Sequence, residues 1–308
     1  MSIDDKTELL LTAPVPTVLW KLATPNVAGV GMMTAVAFFD VWFVGRLGNQ
    51  ALASLALVFP FQALMQMMAG GAIGGGITSA IARAKGSKNS RSAQIIAFNG
   101  LLIGVFISLV YTVILGFFPY EVFGSLSDSK EVIDGSIKYA EIGFGGAILT
   151  WLFFVLSSII RGFGDTYAPA KAIVVAGFFQ IILSGLFTSG FGNILDLGVA
   201  GPAAAMITCH ALAALFLIRK IIVSNSILSF HNCVIDWNSI SNILRVGGLG
   251  LINSITIALN VVIITGFVSE FGVDALAGYG LGSRLELMLV PIAFGIGAAL
   301  TAAVGTNI

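Results

Sequence analysis

The chain has 308 residues, of which 57% are hydrophobic and only 10% charged; its mean hydropathy is +1.00, and fifteen basic residues balance fifteen acidic ones. A water-soluble domain needs far more charge to cover its surface, so the composition excludes one, and a net charge of zero gives nucleic acid no electrostatic footing. Apolar stretches long enough to cross a hydrocarbon core of about 30 Å recur along the whole sequence, which makes this an all-α polytopic membrane protein.

Eight transmembrane helices are predicted in chain order, at roughly 17–45, 52–82, 92–118, 134–160, 168–191, 199–223, 241–268 and 275–306. The opening MSIDDKTELL is acidic and lacks a basic leader and cleavage site, so the first span is expected to act as its own insertion signal. The longest connections, near 119–133 and 224–240, are polar. Basic residues collect on alternate loops: Arg83, Lys85, Lys88 and Arg91, then Arg161 and Lys171, then Arg219, Lys220 and Arg245. The opposite loops carry Glu121, Asp128, Glu131, Asp134, Asp196, Glu270 and Asp274. Positive charge stays inside, so the N-terminus is expected in the cytoplasm.

The first span contains FFDVWFVGRLG, with Asp40 set between apolar runs. An ionised Asp near a helix centre costs about 2.5–3.5 kcal/mol on insertion scales, and proton or cation binding would offset it. A helix neighbour, or water near the outer surface, would offset it too. In the second span GGAIGGG, residues 70–76, has the look of a phosphate loop but lacks its Lys-Ser/Thr. Flexibility or close helix packing is the expectation there. Glu141 opens the fourth span near the outer face, where water reaches it. His210, in AMITCHAL of the sixth span, reads either as a packed, hydrogen-bonded residue or as a proton relay. Asn253 and Asn260 are the polar residues of the seventh span. Arg284 and Glu286 lie about ten residues into the eighth; at i, i+2 they do not face each other, so each needs another partner or water. Asn253, Asn260, Arg284 and Glu286 are candidates for lining a substrate cavity. Cys209 sits in an apolar helix and Cys233 in a polar loop, so no disulfide framework is indicated. No metal-ligand cluster, Ser/His/Asp or Cys/His arrangement or Walker motif is present, so neither an enzyme nor an ATP-driven pump is expected.

The sequence repeats itself. FVGRLGNQALAS at 43–54 returns as FVSEFGVDALAG at 267–278, an offset of 224 residues that spans six helices. An even number preserves orientation, so this is a parallel repeat, as in transporters built from two six-helix halves. The chain then divides into a six-helix N-terminal lobe (1–223), a cytoplasmic linker (224–240) and the first two helices of a C-terminal lobe (241–308). Only two of the second copy's six helices are present, so a longer protein is expected. Asp40 aligns with Ile264, so the fold does not require a carboxylate there; Arg284 and Glu286 align with Pro60 and Gln62.

These features together resemble the multidrug and toxic compound extrusion family, nearest to its DinF-like prokaryotic branch. The likeness rests on FFDVWFVGRLGNQALAS, on RGFGDTYAPAK through Arg161, Gly164, Asp165, Thr166 and Pro169, and on Arg284…Pro291…GIGAALTAAVGTN. It covers nearly the whole chain, about two thirds of a full-length member. The resemblance implies two lobes around a central cavity and export of drugs or organic cations in exchange for H+ or Na+, with no other cofactor. Asp40 matches the acidic residue that the family's prokaryotic branches use in coupling. In the matching fifth span, FFQIILSGLF supplies Gln180 and Ser184 where the nearest branch usually has Asn and Asp, and Met206 stands where it has Thr, with Thr208 nearby. A hard cation wants several oxygens, so H+ on Asp40, hydrogen-bonded towards Gln180 and Ser184, is the more economical expectation than Na+.

The expected protein is therefore a secondary exporter of the plasma (inner) membrane with a small-molecule substrate, the lipid bilayer as its surroundings and no nucleic-acid partner. The alternatives are a lipid-linked saccharide flippase of the same superfamily, which would want a strongly cationic cavity, and a non-transporting membrane fragment.

Overall fold

The computed structural model describes residues 15–87, 89–190, 196–224 and 234–283. Among the described residues the regular structure is helical throughout. Helix α1 is Val15–Gly45. Helix α2 (Asn49–Gln66), a π-helical stretch (Met67–Ile73) and α3 (Gly74–Gly86) follow one another as a single span. Next come α4 (Ser90–Tyr111), which continues as a π-helical stretch to Phe117, and the short α5 (Pro119–Phe123). Helices α6 (Lys130–Gly143) and α7 (Ala147–Gly162) follow, then α8 (Tyr167–Ser189), α9 (Gly201–Ser224) and α10 (Trp237–Ser269). Helix α11 is described over 273–283.

Five expected spans form helices long and apolar enough to cross a membrane: Asn49–Gly86, Ser90–Phe117, Tyr167–Ser189, Gly198–Ile222 and Trp237–Ser269. The span expected at 134–160 differs. It is two helices, α6 and α7, bent by 51° at Phe144-Gly145-Gly146, where two glycines in succession weaken the helix. In α1 the stretch Gly31–Gly45 is apolar, and the eighth expected span is described only as far as Ser283.

Burial matches an integral membrane protein. Helix α7 is the central one, with Trp151, Phe153, Ile159 and Ile160 buried among its neighbours. Helices α4, α8 and α10 instead present large apolar side chains outward, among them Phe106, Phe117, Phe178, Phe179, Leu249 and Ile263. In water such contiguous exposed surface is a liability; in lipid it needs no cover.

The sequence repeat is visible in the backbone. Gly48 and Gly272 both take a left-handed conformation, φ 109° and 98°, which only glycine adopts without strain. The two corners repeat the same hydrogen bonds. Arg46 N–H donates to Phe43 O and Glu270 N–H to Phe267 O, each at 3.3 Å; Gly48 N–H donates to Gly45 O at 3.2 Å and Gly272 N–H to Ser269 O at 3.1 Å. The two corners also meet, because Asn49 Nδ2 donates to Asp274 Oδ1 at 2.7 Å.

Glycines set how closely the helices lie. A Cβ at Gly76 would stand 2.5 Å from the carbonyl oxygen of Ile243, one at Gly250 would stand 3.0 Å from Ala72 Cα, and one at Gly280 would overlap Ala56. A seam of small residues thus joins the Asn49–Gly86 span to α10 and α11. The GGAIGGG stretch belongs to this seam on one side, and on the other a Cβ at Gly70 would lie 2.9 Å from Phe154 Cδ1. It is a packing element rather than a phosphate loop. The linker before α10 is docked by buried Asn99, whose Nδ2 donates to Val234 O and whose Oδ1 accepts from Asp236 N–H.

Basic groups from separate loops gather at one end of the bundle. Lys85 Nζ donates to Phe163 O at 3.1 Å, and Lys220 pairs with Asp165. Asp165 also accepts from the amides of Tyr167 and Ala168, capping α8. Partial burial works against the charge on Asp165, but the bond from Lys220 and these amides outweigh it and hold the carboxyl below its usual range. Lys88 and Cys233 lie outside the described residues, and Cys209 is buried as a free thiol.

Candidate functional site

Asp40 lies on α1 with its side chain 6% exposed. Helix α8 packs along α1 and offers Ser184, fully buried, whose Oγ donates to Asp40 Oδ1 at 2.6 Å. Glycine makes the approach possible, since a Cβ at Gly185 would stand 2.7 Å from Phe43 Cζ on α1. Gln180, one turn before Ser184, is 5% exposed. A hydroxyl donated to a carboxylate is a charge-assisted bond, stronger than one between neutral groups.

Asp40 and Gln180 open on a cavity of about 330 Å³. Its walls are mainly apolar: Met32 and Met33 of α1, Phe59 of α2, Met67 of the π-helical stretch, Phe153 and Phe154 of α7. The polar side chains are few. Besides Asp40 and Gln180 they include Gln62 and Gln66 from α2 and His210 from α9. This is the pattern of a small-molecule site, apolar area for affinity and a few polar groups for orientation.

Gln62 and Gln66 were not picked out by the sequence as site residues. They stand one turn apart on one face of α2, and both amides turn towards Met206: Gln62 Nε2 donates to the thioether sulfur at 3.4 Å and Gln66 Nε2 at 3.9 Å. Sulfur is a weak acceptor, so these are weak ties. Two amides at i, i+4 in an apolar span were the available signal. Thr208 is exposed and bonds to its own helix through Ala204 O, away from the cavity. Glu141 is exposed.

On α10, Asn253 and Asn260 are exposed and are not among the described residues that line this cavity. The α10 side chain that reaches it is Ile257, which lies between them; the two asparagines share its helix face, a turn to either side. Arg284 and Glu286 lie outside the described residues. Among the described residues no group of three or more His, Cys, Asp or Glu is arranged to hold a metal ion.

A profile of the MatE family matches residues 25–186, which include most of α1, the cavity walls from α2 and α7, and most of α8. The chain belongs to the MatE family. Along 97% of its length it is 25% identical to an FAD transporter of Shewanella oneidensis. It is 27% identical over 86% of its length to a probable multidrug resistance protein, YoeA, of Bacillus subtilis, and 22% identical over 92% to the multidrug export protein MepA of Staphylococcus aureus. It spans 66%, 59% and 63% of these relatives' lengths. Among solved structures it superposes on an inward-facing multidrug resistance MATE family transporter with a TM-score of 0.79, covering 91% of this chain and 64% of that one. An outward-facing structure of such a transporter gives 0.80, covering 99% and 67%. Both are 23% identical to the chain, so they speak for the fold. MatE relatives are transporters, not enzymes, and the chain is a multi-pass integral membrane protein.

Proposed function

We propose that the full-length protein is a secondary active exporter that moves drugs or organic cations out of the cell in exchange for H+. Asp40, on the wall of a mainly apolar cavity, is the observation that carries this reading. A carboxylate there attracts a cationic guest, and a proton taken up by the same group releases it, so the two compete for one site. Substrate enters from the cytoplasm and leaves when the two lobes, 1–223 and the one begun at 241–308, rock about the linker at 224–240. The protein sits in the plasma membrane with its N-terminus inside, which the basic cluster of Lys85, Lys220 and their loops supports.

H+ is preferred to Na+ because Ser184 is the oxygen bonded to Asp40 from α8, while Met206 offers sulfur to Gln62 and Gln66. A hard cation would want an oxygen in the place of that sulfur. A flavin nucleotide carries negative phosphates, whereas the described residues lining the cavity include a carboxylate and neither Lys nor Arg. The same fact weighs against a saccharide-phosphate flippase. The test is export of ethidium by the full-length protein in proteoliposomes under an imposed pH gradient. Accumulation driven by the gradient sustains the reading, and movement indifferent to it overturns it.

A further inference from the structure

Two of the described residues that line the cavity carry titratable side chains, Asp40 on α1 and His210 on α9. The imidazole is held in a defined pose. Its Nδ1 is 3.0 Å from Thr150 Oγ1, its ring stacks on Phe153 at 4.9 Å and 13°, and the edge of Phe154 meets it at 5.8 Å. A threonine hydroxyl donates or accepts equally well, so the Thr150 bond survives in either protonation state of the ring. The second nitrogen, Nε2, is left to the cavity. Phe153 lies flat against the ring and offers its π-face to an imidazolium. A histidine used only as packing would need neither the cavity frontage nor a partner that can switch roles.

Among the described residues no charged side chain is bonded to His210. From α7 it meets Thr150, Phe153 and Phe154; α2 contributes Gln62 and Gln66 to the same cavity, α8 Gln180, α1 Asp40. Of the other charged groups, Arg161 is bonded to Ser158, three turns beyond Thr150 on α7, and Lys220 to Asp165 at the end of α9. Glu141 and Lys138 of α6 are not among the described residues lining the cavity.

We propose that His210 is a second proton-accepting group of the cavity, so that release of a cationic substrate is driven by two protons rather than one. This rests on the export reading of the same site. One proton from external water goes to the Asp40 carboxylate and removes its negative charge. The second goes to the imidazole and adds a positive charge on another wall. Both leave to cytoplasmic water when the site next faces inward. Affinity for a cation therefore rises with pH, by about tenfold per pH unit for each proton displaced.

The experiment measures ethidium binding to the purified full-length protein from pH 5 to 8. Wild type is expected to approach a hundredfold change in Kd per pH unit in its steepest region, and His210→Gln about tenfold, with binding at pH 8 retained. A variant as steep as wild type overturns the proposal, as does Asp40→Asn abolishing all pH dependence. Nitrogen NMR of histidine-labelled protein reads the ring directly, His210 being the signal that His210→Gln removes. Its titration between pH 5 and 8 sustains the proposal even if ethidium proves not to be a ligand, in which case the export reading is what needs revision. A His210 ring that does not titrate there overturns it.

Discussion

Ser184 and Asp40 are 144 residues apart and joined by a 2.6 Å hydrogen bond, with both side chains buried. The bond fixes one carboxylate oxygen against α8 and so ties the charge of α1 to the neighbouring helix. A bond to a charged group contributes about 1.5–3 kcal/mol. Ser184→Ala is expected to slow pH-driven export by roughly tenfold or more at that magnitude, while Ser184→Thr keeps the hydroxyl and stays close to wild type. Rates in proteoliposomes with matched protein content check it.

Coupling to H+ carries a direct consequence for the bath. Replacing Na+ by choline is expected to leave the export rate within about twofold, and dissipating the pH gradient with nigericin in K+ medium to abolish it. The chemistry behind this is the thioether of Met206, which engages Gln62 and Gln66 where an oxygen would serve Na+ better.

Helix packing makes its own prediction. Gly76→Ala would push a methyl group onto the Ile243 carbonyl of α10, at 2.5 Å before relaxation. Overpacking of this kind costs about 1–3 kcal/mol. The variant is expected to melt at lower temperature in detergent, whereas Gly75→Ala, with open space around its Cβ, is expected to match wild type.

The end of the bundle responds to pH through Asp165. Its carboxyl is held below the usual 3.8 by Lys220 and two amides, against the opposing effect of partial burial. A carboxylate with a depressed value contributes stability that is complete above its unfolded value and is lost as pH falls through the folded one. Asp165→Asn is therefore expected to lower the melting temperature by a constant amount between pH 6 and 8, with the gap closing below about pH 4. Loss of the α8 cap alone would account for about 1 kcal/mol.

How much was legible follows from the kind of signal each residue gives. Asp40 stood out because a charge inside an apolar run is costly, and the repeat showed Ile264 in its place. Its pairing with Ser184 could not come from spacing, since 144 residues separate them; only the family resemblance pointed there. Gln62 and Gln66 were passed over because a neutral amide disturbs hydropathy little. The corner at Gly48 and its copy at Gly272 were readable as FVGRLG and FVSEFG, since a left-handed turn leaves a glycine behind. The 51° bend between α6 and α7 was not, because an averaged hydropathy window passes over two glycines. Asn253 and Asn260 were named for polarity alone, and the helix face they share with Ile257 reaches the cavity only at the isoleucine.

The central claim is that Asp40 couples proton entry to substrate exit, and Asp40→Asn tests it most directly. The measurement is ethidium export by the full-length protein in proteoliposomes, wild type against variant, with and without an imposed pH gradient. The asparagine keeps the size of the side chain and can still accept the Ser184 hydrogen bond, so folding is expected to be retained. Wild type should export in proportion to the gradient, and the variant should lose most of that response, keeping only the part carried by a proton on His210. Gradient-driven export by Asp40→Asn at the wild-type rate would contradict the account.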